Sequence, residues 1–309
     1  MPSVVQLRGG HVDSVHPFTA VWVGPKGLRR WGEPFRTPFR SAAKPIQLRA
    51  SLHALGDPEL PLSWLALGTA SHSAEPEHIR IVQEILAHFG LEDGDLLCGP
   101  HAPMHAPSHH ALIQAGAPLQ NLHNNCSGKH AFMAAACKAQ GWDPEYRDAG
   151  HPLQRDIRER VAQCGTRPEH GVDGCGLPSW VLEVGEMATL WQLMVLDRDP
   201  VMGRIRAALR EHPHLTSGTG RLDELVMAGA DEAMLVKIGA QALFLMGFPR
   251  RRGALAVKVH SGVVDALGPA VQASLARMVP GAWTRPPGWN LEVFRNAVGR
   301  VVGNYEVQE

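Results

Sequence analysis

A serine and a lysine three residues apart are the first candidates for chemistry in this sequence. Ser41 and Lys44 are separated by two alanines, and Pro45 begins a run typical of a helix that ends at Gly56. If Ser41 lies where this helix begins, Pro45 falls in the first turn, where its missing N–H costs little. The spacing then places the hydroxyl and the amine on one helix face. A desolvated, neutral lysine there could accept the serine proton, which is the chemistry of Ser-Lys acyl transfer, although Ser41 could also be an ordinary helix cap.

A second polar segment, Ser71-His72-Ser73, comes directly before a helical pattern over residues 79–89. Ser73 could simply cap this helix. A Ser-Lys enzyme must handle its substrate and its proton from more than one side, however, and a second polar segment facing the first would serve that need. Ser73 is the better placed candidate, and the spacing leaves Ser71 and His72 open.

Two further segments carry thiols beside polar groups. The run Asn-Asn-Cys-Ser-Gly-Lys-His over residues 124–130 leads into an alanine-rich helix, and it places Cys126 near the helix start, where the pKa of a thiol tends to fall. The sequence Asp173-Gly-Cys175-Gly predicts a tight turn that exposes a carboxylate and a thiol. Cys126 and Cys175 could be zinc ligands, a redox pair or unrelated buried thiols. Because no CxxC pair is present, their spacing alone favours unrelated thiols.

The last candidate is Lys258, which interrupts the apolar run at residues 254–259. A lysine in an apolar strand is costly unless it lies at an edge or has a partner. Its ammonium therefore either reaches solvent from an edge strand or lies in a site beside a hydroxyl or a carboxylate substrate.

The elements around these residues predict one sheet built from both chain ends. Runs rich in Val, Phe and Trp between Val4 and Val23 are broken by Gly9-Gly10 and predict an N-terminal β meander. Helical patterns dominate the middle of the chain, at residues 79–89 and 153–161, although Pro103 and Pro107 argue against a helix in the histidine-rich tract that contains them.

Strand character returns near the end of the chain. Residues 254–259 read as a strand, 269–278 as a helix, and 291–302 as either a helix or a closing strand. We therefore predict an α/β protein, a single unit over residues 1–309. Its sheet subdomain would comprise residues 1–70 and 235–309, and its helical subdomain residues 75–230.

Composition and charge narrow the classes of function. The 309 residues include 30 Lys and Arg against 30 Asp and Glu, and this balance argues against a nucleic-acid partner. No apolar stretch approaches the roughly 20 residues that a membrane span needs, and the first residues lack the pattern of a signal peptide. We therefore expect no membrane partner and a cytoplasmic location, where the five cysteines stay reduced.

Taken in order, the segments together resemble the rhizobial-type, class 3 L-asparaginases, the asparaginase II family. The matching segments are Arg-Ser-Ala-Ala-Lys-Pro-Ile-Gln (40–47), Ser-His-Ser (71–73), Asn-Asn-Cys-Ser-Gly-Lys-His (124–130), Asp-Gly-Cys-Gly (173–176) and Val-Lys-Val (257–259). Five separate segments agree along most of the chain, and the Cys-Ser-Gly-Lys-His piece is much rarer than a Ser-Lys tetrad. The resemblance implies the fold of serine β-lactamases and glutaminases, an α/β/α sheet domain made from both termini with an inserted helical subdomain.

The resemblance also implies an activity, the hydrolysis of L-asparagine to aspartate and ammonia through a Ser-Lys-activated acyl-enzyme. Ser41 with Lys44 would form one Ser-Lys pair and Ser73 with Lys258 a second, and which serine attacks first stays open. Lys258 is followed by Val-His, so the Lys-Thr-Gly sequence of penicillin-recognising relatives is absent, which weakens any β-lactam interpretation. The alternatives are another Ser-Lys amidohydrolase such as a glutaminase, and a non-catalytic amino-acid-binding or sensor protein on the same fold.

A zinc site and several substrate contacts are implied as well. One zinc ion per subunit, supporting substrate binding more than chemistry, would be held by Cys126, Lys129 and Cys175. Asp173 would meet the α-amino group of the substrate, and Arg40 and His130 would lie near the site. Because a lysine ligand must lose its proton, zinc affinity should fall at lower pH. A homodimer is expected from the resemblance alone.

Overall fold

The structure is a computed structural model that describes residues 1–165 and 168–309. The chain divides into two compact units. The first comprises Met1–Ala42, Leu182–Leu196 and Leu225–Glu309, and the second comprises Ala43–Val181 and Asp197–Glu224. The first unit is therefore assembled from both chain ends and a short segment from the middle.

An antiparallel sheet forms the first unit. The strands of the described chain are β1 (Ser3–Arg8), β2 (His11–Gly24), β3 (Gly27–Trp31), β4 (Arg36–Pro38), β5 (Glu169–Val172), β6 (Pro178–Glu183), β7 (Leu235–Gly239), β8 (Leu243–Phe248), β9 (Gly253–Val259), β10 (Val293–Arg295) and β11 (Val301–Gln308). The strand order of the sheet is β10-β11-β1-β2-β9-β8-β7, and β3 pairs with β2. The predicted N-terminal meander is confirmed as β1 to β3. Its first turn uses Gly9 and Gly10 at φ values of 57° and 83°, a conformation that glycine adopts without strain.

The centre of this sheet is covered on both faces. Every residue of β8 and β9 is buried, and successive side chains of a strand point to opposite faces. Within the first unit, helices α7 (Val184–Leu196) and α10 (Leu267–Met278) pack against the sheet. Lys258 therefore lies in a central strand between β2 and β8, and the interpretation of an edge lysine with its ammonium in solvent is wrong.

Helices form most of the second unit. The remaining helices of the described chain are α1 (Lys44–Ala54), α2 (Leu62–Gly68), α3 (Pro76–Phe89), α4 (Ala106–Gln114), α5 (Ser127–Gln140), α6 (Pro152–Val161), α8 (Pro200–Glu211) and α9 (Leu222–Ala228), the last of which crosses the boundary between the units. Helix α5 is buried from Ser127 to Cys137 and packs against α1, α2 and α3. Its alanines allow close packing, and a Cβ on Gly128 would come within 2.4 Å of the carbonyl oxygen of Leu67.

Most of the local predictions are confirmed. The patterns at residues 79–89, 153–161 and 269–278 correspond to α3, α6 and α10, and the ambiguous 291–302 segment contributes to strands. The prediction that the histidine-rich tract contains no helix is wrong, because α4 begins at Ala106 and contains Pro107 in its first turn. A proline there costs little because the first N–H groups of a helix have no intrahelical partner.

The predicted α/β class is confirmed, with a sheet built from both chain ends around a helical segment. The bounds of the two units differ from the predicted subdomains at three places, one of which is residues 225–230, which belong to the first unit. Helices α1 and α2 belong to the second unit because they pack against α5, and α7 belongs to the first because it packs against β2 and β9. None of the helices in residues 1–165 and 168–309 combines the length and the apolar run that a membrane crossing requires.

Candidate active site

Ser41 lies in a short 3₁₀ turn, Arg40–Ala43, that leads directly into α1. Pro45 occupies the first turn of α1, as the sequence predicted. Arg40 adopts a φ of 50°, in the left-handed region that non-glycine residues seldom occupy. Such strain persists only where the surrounding structure imposes it, and it is common at functional sites. The side chains of Arg40 and Ser41 are both half-buried.

Lys44 is fully buried at the start of α1. Its Nζ donates to the carbonyl oxygen of Ala70, lies 3.0 Å from Ser71 Oγ and 3.4 Å from the carbonyl oxygen of Asn125. Burial lowers the pKa of Lys44, and this outweighs the opposing effect of the Cys126 thiolate. A neutral amine has two N–H donors and one lone pair, so it can donate to both carbonyl oxygens and accept the proton of the Ser71 hydroxyl.

The two serines between α2 and α3 have different partners within the second unit. Ser71 Oγ is the hydroxyl that Lys44 contacts, whereas Ser73 Oγ donates to the carbonyl oxygen of Ser217 at 3.0 Å. Both serines are buried. The sequence ranked Ser73 above Ser71, and it held no signal for the contact between Ser71 and Lys44, because that contact depends on how α1 packs beside this segment.

His72, between the two serines, is held in place by its neighbours. Its Nε2 lies 2.8 Å from Ser127 Oγ, and its Nδ1 accepts from the N–H of Ala74 at 3.1 Å. Because Nδ1 accepts a hydrogen bond, the ring carries its proton on Nε2 when neutral. Burial, followed by the charge of His78, lowers the pKa of His72 well below its usual value. His72 therefore supports the segment in the neutral form.

Two thiols and an amine meet at a second cluster in the same unit. Cys126 lies at the start of α5, Lys129 lies one turn later, and Cys175 lies between β5 and β6. Lys129 Nζ is 3.4 Å from Cys175 Sγ. A hydrogen bond from Cys175 lowers the pKa of Cys126 well below its usual value, and the same bond raises the pKa of Cys175. Burial alone would lower the pKa of Lys129, but the charges of Cys175 and Cys126 raise it above its usual range.

This donor set fits a zinc ion, with Cys126, Lys129 and Cys175 as the residues that would hold it. Sulfur ligands favour soft or borderline metals, and the hydrogen bond from Cys175 already favours the thiolate form of Cys126. In the described part of the chain, no three His, Cys, Asp or Glu side chains are grouped so that they could hold a metal. A zinc site here therefore depends on Lys129, which would have to give up the proton that the thiols now stabilise.

Asp173 and His130 flank the thiol cluster. The charge of Asp173 is one of the effects that raise the pKa of Lys129, and its Oδ1 accepts from the N–H of Gly174 at 2.8 Å. His130 lies 3.0 Å from Tyr146 Oη through its Nδ1, while its buried Nε2 has no hydrogen-bond partner among the described residues. Burial, followed by the charge of Lys129, lowers the pKa of His130 well below its usual value.

Lys258 and Arg40 belong to the first unit. Lys258 Nζ donates to the carbonyl oxygen of Gln241 and lies 5.9 Å from the centre of the Phe35 ring. Gln241 and Ala242 have φ values of 59° and 55°, so the turn between β7 and β8 is strained where it supplies this carbonyl. Burial, followed by the charge of Arg40, lowers the pKa of Lys258 to about 8. A lysine with that pKa is partly neutral near pH 7 and can act as a general base.

The predicted site residues thus fall into two groups. The second unit brings together the amine of Lys44, the Ser71 hydroxyl and the thiol cluster with Asp173, and it also contains Ser73 and His130. The first unit contains Ser41 and places Arg40 close enough to Lys258 to influence its pKa. Each unit therefore contains a buried lysine whose pKa is lowered. Sequence reasoning missed the carbonyl acceptors of these lysines, because backbone oxygens have no sequence signature.

Comparisons with known proteins give the following matches. The profile of the family L-asparaginase II matches residues 4–307. A β-lactamase structure from Mycobacterium bovis is 14% identical, covers 84% of this chain and 94% of its own, and has a TM-score of 0.46. EstCE1, a hydrolase with promiscuous acyltransferase activity, is 13% identical over 89% of this chain and 93% of its own, with a TM-score of 0.42. A β-lactamase from Burkholderia ambifaria is 13% identical over 84% of this chain and 93% of its own, with a TM-score of 0.35. No curated protein matches the chain.

Proposed function

The chain belongs to the L-asparaginase II family, and from this premise we propose that it hydrolyses the side-chain amide of L-asparagine, releasing aspartate and ammonia. The observation that carries the proposal is the environment of Lys44. A buried amine with a lowered pKa, two carbonyl acceptors and a hydroxyl partner is prepared to accept a proton from a serine.

The reaction proceeds through an ester of the enzyme. A neutral lysine, Lys44 for Ser41 or Lys258 for Ser73, removes the hydroxyl proton while the serine oxygen attacks the amide carbon. The C–N bond then breaks, and the lysine ammonium returns the proton to the departing nitrogen, which leaves as ammonia. Water attacks the resulting β-aspartyl ester with the lysine again accepting a proton. Aspartate leaves and the serine hydroxyl is restored.

The remaining polar groups hold the substrate. Asp173 accepts hydrogen bonds from the α-amino group of asparagine, and Arg40 and His130 contribute further polar contacts. A zinc ion held by Cys126, Lys129 and Cys175 would supply a positive charge that favours binding of the anionic end of the substrate. We propose that the protein acts as a homodimer. We also propose a cytoplasmic location, because both thiols must stay reduced to serve as ligands.

An ammonia-release assay tests the proposal. The wild-type protein should release ammonia and aspartate in equal amounts from L-asparagine, and it should release ammonia more slowly from L-glutamine. The Ser41→Ala variant should melt at the wild-type temperature and release no ammonia above background. Absence of wild-type turnover with asparagine would refute the proposed function, and substantial turnover by Ser41→Ala would exclude Ser41 as the nucleophile.

A further inference from the structure

A second stretch of chain lies directly beside the serine segment of the second unit. The N–H of Ser71 donates to the carbonyl oxygen of Thr216 at 2.9 Å. Two residues later, the hydroxyl of Ser73 donates to the carbonyl oxygen of Ser217 at 3.0 Å. Residues 216–219, which we call the 216–219 segment, therefore contact both serines that the structure places between α2 and α3.

Glu75 holds the far end of the 216–219 segment. Its carboxylate accepts from the N–H and from Oγ1 of Thr219, each at 2.8 Å. Burial would raise the pKa of Glu75, but these two hydrogen bonds from Thr219 lower it, so the group is ionised at neutral pH. Hydrogen bonds to a charged acceptor are about twice as strong as neutral ones. The segment is consequently anchored on both sides of its contact with Ser73.

Gly218 shows how tightly the segment packs against Ser73. A Cβ at this position would lie 2.4 Å from Ser73 Oγ and 2.7 Å from Glu75 Oε1. The φ of Gly218 is 142°, which side-chain-bearing residues rarely adopt. The backbone of the segment therefore approaches the hydroxyl at a distance that only glycine permits.

We propose that Glu75 is a positioning residue for the proposed amide hydrolysis, because through Thr219 it holds the 216–219 segment where the Ser217 carbonyl oxygen orients the Ser73 hydroxyl. The inference rests on the proposed function. The hydrogen bond to this carbonyl oxygen fixes where the Ser73 oxygen lies before the hydroxyl gives up its proton. Glu75 and Thr219 do not touch the substrate in this scheme, so their loss should lower kcat and leave KM nearly unchanged.

Two substitutions at Thr219 test the contact without disturbing α3. Thr219→Val keeps the shape and the N–H of the residue but removes its hydroxyl. It should lower kcat for asparagine about tenfold, which is the effect of losing one hydrogen bond to a charged group, and KM should stay within about twofold of the wild-type value. Thr219→Ser restores the hydroxyl and should restore kcat. Glu77→Gln is the matched control, because it removes an exposed carboxylate from the same end of α3 and should leave kcat unchanged. Wild-type kcat in Thr219→Val, or failure of Thr219→Ser to recover it, would overturn the inference.

Hydrogen exchange separates this inference from the proposed function. In Glu75→Ala, the amides of Thr219 and Ser71 should exchange at least about tenfold faster than in wild type, because both N–H groups bond within this arrangement. Unchanged exchange at Ser71 would show that Glu75 does not hold the segment, whatever the protein hydrolyses. If exchange rises as expected but the wild type releases no ammonia from asparagine, the proposed function fails, and the role of Glu75 in positioning Ser73 for that reaction fails with it.

Discussion

The pH dependence of turnover should follow Lys258. Its pKa of about 8 arises from burial in the central strand and from the charge of Arg40. A base with this pKa is about one-tenth neutral at pH 7 and about nine-tenths neutral at pH 9, by ordinary titration. If neutral Lys258 is the general base of the reaction, kcat at saturating asparagine should rise roughly tenfold between these two values, with a midpoint near pH 8.

Arg40 offers a way to move this midpoint. Removing its charge in Arg40→Met eliminates a cause of the lowered pKa, so the midpoint of the kcat profile should shift to higher pH. Arg40→Lys keeps a positive charge and should keep the midpoint closer to 8. The measurement is ammonia release from pH 6 to 10 with each protein saturated by substrate, since Arg40 also belongs to the proposed substrate contacts. A wild-type profile that is flat between pH 7 and 9, or a midpoint that is identical in Arg40→Met, would refute this assignment of the base.

Three further outcomes follow from the structure. In Cys175→Ser, elemental analysis should show a loss of zinc, and KM should rise more than kcat falls. The control Cys98→Ser should keep the metal, because Cys98 lies outside the proposed ligand set and burial raises the pKa of its thiol to about 12. Gly218→Ala should lower kcat at least about tenfold, since its Cβ would displace the Ser73 hydroxyl; a variant of wild-type activity would contradict that contact. Lys258→Met should melt above wild type at pH 7, and calorimetry should show the difference shrinking between about pH 8 and 10.5, because the unfolded state binds more protons than the folded state in that interval.

Local signals in the sequence were sufficient for much of the fold. Gly9-Gly10 specifies the first β turn, and the apolar period of α3 ends at Gly90, which adopts a φ of 63°. The sequence predictions failed once for a local reason and once because tertiary contacts decide. Pro107 argued against a helix, yet it falls in the first turn of α4. The unit to which α1 or α7 belongs depends on the elements that each helix packs against. These elements are distant in the sequence, so a local pattern does not predict the contact.

The residue types in the sequence indicated the chemistry of the candidate site, but they did not indicate which groups each side chain contacts. The sequence singled out Lys258 as anomalous but could not distinguish an edge strand from a central one, and only the strand order β2-β9-β8 decides this. It ranked Ser73 above Ser71 but held no signal for the partner of either hydroxyl, because both serines lie in one short polar segment. The Ser71 hydroxyl meets the Lys44 amine only because α1 carries that amine to the carbonyl groups of Ala70 and Asn125.

Three of the buried lysines among the described residues show how the surroundings of a lysine determine its pKa. Lys44 faces carbonyl oxygens and a hydroxyl, so burial dominates and its pKa falls. Lys258 adds the nearby charge of Arg40, and its pKa falls to about 8. Lys129 is equally buried, but the negative charge of the two thiols outweighs burial and raises its pKa. Two of these amines are therefore suited to accept a proton, whereas the charge of the two thiols keeps the third amine protonated.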